Sequence, residues 1–195
     1  MLFSCFVDFR KAFDRIPRQK LFEKLRKEGI KGRFLEIVMS MYSKDKSAVK
    51  INNKMTEAFP CYTGVKKGCM LSPTLFNLYL SDLPEFGNSP SSTDILLDDS
   101  ERPINCLLYA DDLVIFSRSA NGLQTLLNKL ESHCAKTELS VNLDKTKVMT
   151  FNNCGKSLNN NSFKYGVNKL TNVKSYKYLG MTLNPYGNFS LAREE

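Results

Sequence analysis

Two adjacent aspartates, Asp111 and Asp112, sit in the middle of an apolar run, LLYADDLVIF, at residues 107–116. Both flanks read as buried strand, so the simplest account is a tight hairpin turn. Asn-Gly or Asp-Gly is the usual chemistry of such a turn, however, and aspartate at both centres is not favoured. Two like charges about 4 Å apart repel by roughly 4 kcal/mol at an effective dielectric near 20. A divalent cation reverses that sign, and hard carboxylate oxygens suit Mg²⁺, which keeps waters and phosphate oxygens as its other ligands. Such a site needs a further carboxylate from a neighbouring strand. Asp8, in FVDFRKAFD, closes an apolar strand and is the candidate, whereas Asp14 falls past the strand and is expected to cap or pair locally. Three carboxylates at adjacent strand ends describe a two-metal centre, in which one ion activates an attacking hydroxyl and the other holds the leaving phosphate. The expected chemistry is phosphoryl or nucleotidyl transfer.

A second pair, Asp98-Asp99, is flanked by Ser100, Glu101, Arg102 and Pro103. Aspartate is common in turns because its side chain bonds nearby backbone groups, and a turn accounts for this pair.

The elements that must position these groups follow from the hydrophobic pattern. LFSCFVDF (2–9) reads as a buried strand. Pro17 suits the first turn of a helix through PRQKLFEKLRKEG, with Leu21, Phe22 and Leu25 on one face and Gly29 as its stop. GRFLEIVMSMYS (32–43) repeats the helical pattern through Phe34, Leu35, Val38, Met39 and Tyr42. SAVKINN and TEAFPCYTG predict two strands about a turn near Asn53-Lys54. After the loop GVKKGCML, Ser72 as N-cap and Pro73 at the first helical position open a helix that TLFNLYLSDL continues. Residues 87–105, rich in Ser, Pro and Asp, read as a surface insertion. Leu123, Leu126, Leu127, Leu130 and Cys134 then form a helical core stripe, and KVMTF, FKY and YKYLGMTL are strands. That order predicts an α+β fold, an antiparallel or mixed sheet with helices on one face.

The 195 residues, 42% of them hydrophobic, are enough for one domain with a small appendage. No run of 18 or more apolar residues occurs, so no membrane span is expected. The N-terminal MLFSCFVDFRKAFD lacks a basic leader and a small-residue cleavage site, so it does not read as a signal peptide. Six scattered cysteines without C-x-x-C spacing, and one histidine, His133, leave no zinc pattern; reduced thiols inside a cell are the expectation. The formal net charge is +8, and residues 10–33 carry ten Lys/Arg against three acids. That segment is either a solvated helix face or an electrostatic footprint for phosphates.

FVDFRKAFD, GVKKGCMLSPTLFN and LLYADDLVIFS, in that order, resemble successive palm motifs of reverse transcriptases, of the kind encoded by non-LTR (LINE-like) retrotransposons. LSVNLDKTKVMTF and YKYLGMTL resemble the two motifs that follow, and the likeness runs over residues 3–183. It implies a right-hand polymerase palm and RNA-directed DNA polymerase chemistry with two Mg²⁺ ions, Mn²⁺ being the alternative. The implied partners are an RNA template, a DNA primer and deoxynucleoside triphosphates (dNTPs). Asp8, Asp111 and Asp112 would be the catalytic metal ligands. Phe13 matches an aromatic gate whose ring fills the space of a ribose 2′-OH; on the residues alone it reads equally as a core aromatic. Tyr109 would lie near the primer end, Gly68 would let the backbone approach template or incoming base, and Ser72-Pro73 would start the helix beneath it. Lys145 would lie near the triphosphate, with Lys147 as a rival, and Tyr178, Leu179 and Gly180 would belong to a primer grip. Lys67 stands where many members carry glutamine; glutamine donates and accepts, lysine only donates, so a phosphate contact is the alternative role.

The resemblance also implies a palm with partial fingers at 1–183, holding the insertion loop at 87–105, and a C-terminal tail at 184–195 ahead of a missing thumb. Full fingers and an endonuclease are not expected within these residues. Two other functions compete. One is a nucleic-acid-binding remnant that has lost turnover. The other is an unrelated two-metal nuclease, which shares the carboxylates but gives GCMLSPTLFN and YLGMTL no role.

Overall fold

The computed structural model describes residues 1–83, 95–96, 103–152, 161–186 and 189–191. Asp98-Asp99, most of the 87–105 segment, Cys154 and the end of the tail lie outside the described residues.

The chain opens with β1 (Leu2–Val7), α1 (Ala12–Arg15), α2 (Arg18–Lys27) and α3 (Gly32–Ser43). Four two-residue strands follow: β2 (Lys46–Ser47), β3 (Lys50–Ile51), β4 (Lys54–Met55) and β5 (Phe59–Pro60). Then come α4 (Ser72–Tyr79), the pair β6 (Ile95–Leu96) and β7 (Pro103–Ile104), the hairpin β8 (Cys106–Tyr109) and β9 (Asp112–Ser117), and α5 (Ala120–Thr137). The C-terminal part holds β10 (Lys147–Phe151), β11 (Lys164–Tyr165), β12 (Asn168–Lys169), β13 (Thr171–Asn172), β14 (Tyr176–Tyr178), β15 (Met181–Leu183) and β16 (Phe189–Leu191). The chain divides into two compact units, one of Met1–Arg10, Asp82–Lys136 and Ser140–Glu195, the other of Lys11–Ser81 with Thr137–Leu139.

The first unit is built on a five-stranded sheet in the order β13-β10-β1-β9-β8. It is antiparallel except where β13 runs parallel to β10 at its edge. Strand β1 is central, and Phe3 through Val7 are all buried. That is why its sequence, Ser4 apart, is apolar at successive positions instead of alternating: both faces are covered. Successive residues point to opposite faces, so Ser4, Phe6 and then Asp8 share one face. Phe6, Val114, Met149 and Leu183 form a core cluster, packed by Phe116, Phe151, Val173, Tyr176 and Tyr178. The ring of Phe6 stacks on Tyr176 at 4.4 Å and tilts against Tyr178 at 5.6 Å. The hairpin β14–β15 therefore covers the end of the sheet next to Asp8. Burying one such side chain is worth about 1.5–3 kcal/mol. In the same unit Leu123, Leu126, Leu127, Leu130 and Cys134 of α5 are buried, as their spacing predicts.

In the second unit, α2 packs on α3 and α4. Leu21 and Leu25 are fully buried and Leu35, Val38 and Tyr42 are buried, but Phe34, which the predicted stripe included, stands exposed. Arg18 is 9% exposed and satisfied on all sides. Its Nε donates to the Gly64 carbonyl at 2.9 Å, Nη1 to the carbonyls of Tyr42 (3.1 Å) and Cys61 (2.5 Å), and Nη2 to Asp45 at 2.6 Å. The two strands expected over 47–64 are nested two-residue ribbons, β2 with β5 and β3 with β4. The inner turn is Asn52-Asn53, one residue earlier than predicted; both have positive φ, as a type I′ hairpin requires.

The start of α4 also differs from expectation. Leu71 is the N-cap residue, and Ser72 makes no cap; its hydroxyl instead donates to the Lys66 carbonyl at 2.6 Å. That bond ties the GVKKGCML loop to the first turn of the helix. Pro73 falls in that turn, where its missing N–H costs nothing. The helix ends at Tyr79, short of the predicted Leu83.

Candidate active site

The hairpin β8–β9 pairs Tyr109 with Asp112, so the two loop residues are Ala110 and Asp111. The aspartate pair does not occupy both turn centres. Asp111 is in the turn, Asp112 is the first residue of a strand, and the strained position falls on Ala110, whose φ is +51°. A positive φ at the first loop residue is ordinarily given to glycine.

Strand β1 pairs with β9 through Val7 and Leu113, and the next residue in that register sets Asp8 across from Asp112. Asp8 spends both its main-chain groups on the opposite side. Its N–H donates to Thr146 Oγ1 at 3.2 Å and its carbonyl accepts from the Asn142 N–H at 2.7 Å. Asp8 lies one residue past the last β1–β9 pair, Val7 with Leu113, and its charge is felt at Asp112. Asp8 and Asp112 project on the face shared with Phe6 and Val114.

None of the three carboxylates has a hydrogen bond or an ion pair among the described residues. The consequence is visible at Asp112. Loss of solvation first, then the charges of Asp111 and Asp8, push its pKa up. Uncompensated hard oxygen donors of one sign suit a divalent cation. They are not yet arranged around one: among the described residues no three His, Cys, Asp or Glu side chains are close enough to hold a metal ion. Convergence of Asp8, Asp111 and Asp112 on a common ion takes side-chain movement.

Sequence reasoning missed Tyr176. Burial, then the charges of Asp112 and Asp8, raise its phenol, and Tyr178 is raised by burial and by Asp112. The two neutral phenols therefore stand within electrostatic reach of the acidic cluster. The alternation in YKY, which puts positions 176 and 178 on one strand face, was the available signal. Between β14 and β15 the turn is Leu179-Gly180, both at positive φ, with Leu179 exposed. Tyr109, 66% exposed, is the cross-strand neighbour of Asp112. Lys145 is exposed in the loop before β10, while Lys147 pairs with Phe6 and lies on the sheet face that carries Asp8.

The remaining predicted residues belong to the second unit. The ring of Phe13 stacks on buried Phe76 at 4.2 Å and 14°. Lys67 Nζ is 2.9 Å from Asp14 Oδ2, so Asp14 pairs with a residue 53 positions away and not locally as expected. Gly68 has φ +81° and open space where a Cβ would stand. Its need for glycine is conformational and leaves room on that side of the backbone. Ser72 and Pro73 open α4 directly after this loop.

A family described as reverse transcriptase (RNA-dependent DNA polymerase) matches residues 3–183. The chain is 29% identical over 194 residues to a Pol polyprotein from the type-2 retrotransposable element R2DM of Drosophila melanogaster, covering 94% of this chain and 18% of that protein. It is 26% identical over 192 residues to the RNA-directed DNA polymerase of the mobile element jockey of Drosophila funebris, covering 93% and 19%. The chain thus spans about a fifth of the length of these relatives. Apo telomerase from Candida tropicalis superposes with a TM-score of 0.65 at 16% identity, over 97% of this chain and 35% of that one. That likeness carries the fold, a right-hand polymerase architecture. The matched segment runs from the strand that ends beside Asp8, through the aspartate hairpin, to the last residue of β15. A family match over nearly the whole chain, with non-LTR retrotransposon relatives, makes this protein a member of the reverse transcriptase family, whose members use divalent metal ions.

Proposed function

We propose that this chain is the palm-bearing part of an RNA-directed DNA polymerase from a non-LTR retrotransposon. It extends a DNA primer along an RNA template by nucleotidyl transfer from dNTPs. The observation that carries the reading is the apposition of Asp8 and Asp112 at the end of two paired strands, with Asp111 in the adjoining turn. These three carboxylates would hold the metal ions. Two Mg²⁺ ions, or Mn²⁺ in their place, would supply activation of the primer 3′-hydroxyl and neutralisation of phosphate charge when bound.

The chain's own residues do the rest by positioning, which supplies most of the acceleration in such reactions. Tyr178, Leu179 and Gly180 steady the primer, and Tyr109 contacts its end. Phe13 excludes a ribose 2′-OH. Lys145 takes the triphosphate. Lys67, Gly68, Ser72 and Pro73 form the template-side loop and the helix start behind it. The primer 3′ oxygen bonds to the α-phosphorus and pyrophosphate departs.

The test is primer extension on an RNA template with the wild-type chain and with Asp111→Ala and Asp112→Ala. Extension is expected to fall by orders of magnitude in both variants. Unchanged extension in the variants rejects the mechanism. A nucleic-acid-binding remnant is the second reading, favoured by the lack of a metal-ready carboxylate group among the described residues. It predicts retained duplex binding with no extension in any form of the chain.

A further inference from the structure

Between Asp45 and Cys61 the chain of the second unit runs out and back as one ribbon. Its base is fastened. The Cys61 N–H donates to the Asp45 carbonyl at 2.9 Å, and Arg18 holds both the Asp45 carboxylate and the Cys61 carbonyl. Beyond that base β2 pairs with β5, the Thr56 N–H donates to the Val49 carbonyl at 2.9 Å, β3 pairs with β4, and Asn52-Asn53 makes the tip. Every residue from 46 to 60 is exposed, so among the described residues nothing covers either face. A two-stranded hairpin with no packing partner is marginally stable at best in water. This one also shows Val49, Ile51, Met55 and Phe59 to solvent. Cross-strand partners share a face and successive residues alternate. Lys50 therefore stands beside Met55 on one face, and Lys54 beside Ile51 on the other. Lys46, Lys50 and Lys54 meet no acid among the described residues, and Glu57 is the one acidic residue from 46 to 60.

We propose that the 46–60 ribbon is an arm that enters the major groove of B-form duplex DNA, with Lys46, Lys50 and Lys54 on phosphates of the rims and Ile51 and Met55 against base edges. Charge selects a polyanion: lysine on both edge strands opposes the addition of a further protein strand, and unpaired ammonium groups on both faces suit phosphate. Shape selects a duplex. Single strands are held in grooves by stacking on aromatic rings, whereas this ribbon is a projection, and no aromatic residue occurs from Lys46 to Ala58. The major groove of B-DNA, about 12 Å wide, admits a two-stranded ribbon and offers thymine methyl groups to apolar side chains. The major groove of duplex RNA is too narrow to be read by side chains. No residue of the ribbon belongs to the acidic cluster, and this binding needs neither a metal ion nor turnover.

The experiment is fluorescence anisotropy of the full chain in EDTA, with a labelled short DNA duplex, the RNA duplex of the same sequence and the DNA single strand. The DNA duplex is expected to bind about tenfold tighter than either other probe at the same salt. No binding of the DNA duplex, or equal or tighter binding of another probe, overturns the proposal. Lys50→Gln with Lys54→Gln is expected to reduce the log–log salt slope for the DNA duplex by about two units. Lys27→Gln with Lys31→Gln, the same charge change on exposed lysines elsewhere in the unit, leaves that slope unmoved. Equal slopes in the two double variants overturn the proposal. Ile51→Ser with Met55→Ser is expected to raise the Kd for the DNA duplex about fivefold at unchanged slope, and an unmoved Kd overturns groove entry. Self-association of the chain that this last pair abolishes assigns the ribbon to a second copy and overturns the proposal. Should a variant fail to fold, lysine acetylation of the wild-type chain decides. Bound DNA duplex must shield Lys50 and Lys54 more than Lys27 and Lys31, and equal shielding overturns the proposal.

Discussion

Asp8, one residue past the last β1–β9 pair, and Asp112, the first residue of β9, lie at one end of the central sheet, and neither carboxylate meets a cation or a hydrogen-bond donor among the described residues. Folding places two like charges side by side, with Asp111 next in the turn, and leaves them uncompensated. The cost falls on the sheet end.

That cost is measurable through pH. The folded chain holds the Asp112 proton more tightly than the unfolded chain, whose carboxyl titrates near the ordinary 3.8. The stabilising contribution of the protonated form is complete below that value and is lost as pH rises through the raised folded pKa. Asp112→Asn therefore raises the melting temperature at pH 7 in a chelator, by about 1–2 °C given the exposure of the group. The gain over wild type disappears at acid pH, and saturating Mg²⁺ removes it at pH 7. A melting temperature lowered by the substitution at pH 7 counts against the charge cluster.

Ala110 takes the positive φ that frees Asp111 and Asp112 for their positions. A β-branched residue in the left-handed region is strained, so Ala110→Val is expected to lose about 1–2 kcal/mol by urea unfolding. Ala110→Gly is expected to be neutral within about 0.5 kcal/mol, since relief of strain offsets the greater freedom of the unfolded chain.

Arg18 offers a sharper stability test. Burial raises the Asp45 carboxyl, but the bonds and charges of Arg18 and Lys66 outweigh it and hold the group below its ordinary value. Arg18→Lys keeps the charge but cannot reproduce a fork that reaches Gly64, Tyr42, Cys61 and Asp45 together. A loss of about 2–4 kcal/mol is expected from the broken, nearly buried network. The stability due to Asp45 is present above the unfolded carboxyl range and fades as pH falls through the depressed folded pKa. The difference between Arg18→Lys and wild type should therefore narrow in acid.

Charge is divided unequally between the units. The second unit holds 15 of the 28 Lys/Arg but 7 of the 20 Asp/Glu, leaving 13 of each in the first, so the whole net charge of +8 resides in the second. Lys46, Lys50 and Lys54 stand on its exposed ribbons. Binding of an RNA–DNA duplex is expected to weaken steeply with salt, and each lysine that meets a phosphate contributes about one unit of the log–log slope. Replacing all three by Gln should flatten the slope without changing the melting curve. An unchanged slope would show that the duplex avoids the ribbons.

Much of this molecule is written locally. The strand before Asp8, the helix Gly32–Ser43, the stripe of α5 and the strand Lys147–Phe151 follow from apolar period alone, because each buries a face whose pattern the sequence must carry. The motif order FVDF, GCMLSP and YADD carried the family. The misreadings sit where distant partners override local preference. Ser72 has the composition of a cap, but the Lys66 carbonyl takes its hydroxyl. Asp14 was expected to pair locally, and Lys67 holds it from 53 residues away.

By itself, then, the sequence determined which residues are acidic, which segments must be buried and which family the chain joins. Only the tertiary structure decided that the turn centres are Ala110 and Asp111, that Asp112 faces Asp8, and that Thr146 anchors the peptide before Asp8. The physical reason is register. Pairing between strands more than a hundred residues apart is set by the fit of all their buried side chains at once, and no local stretch records it.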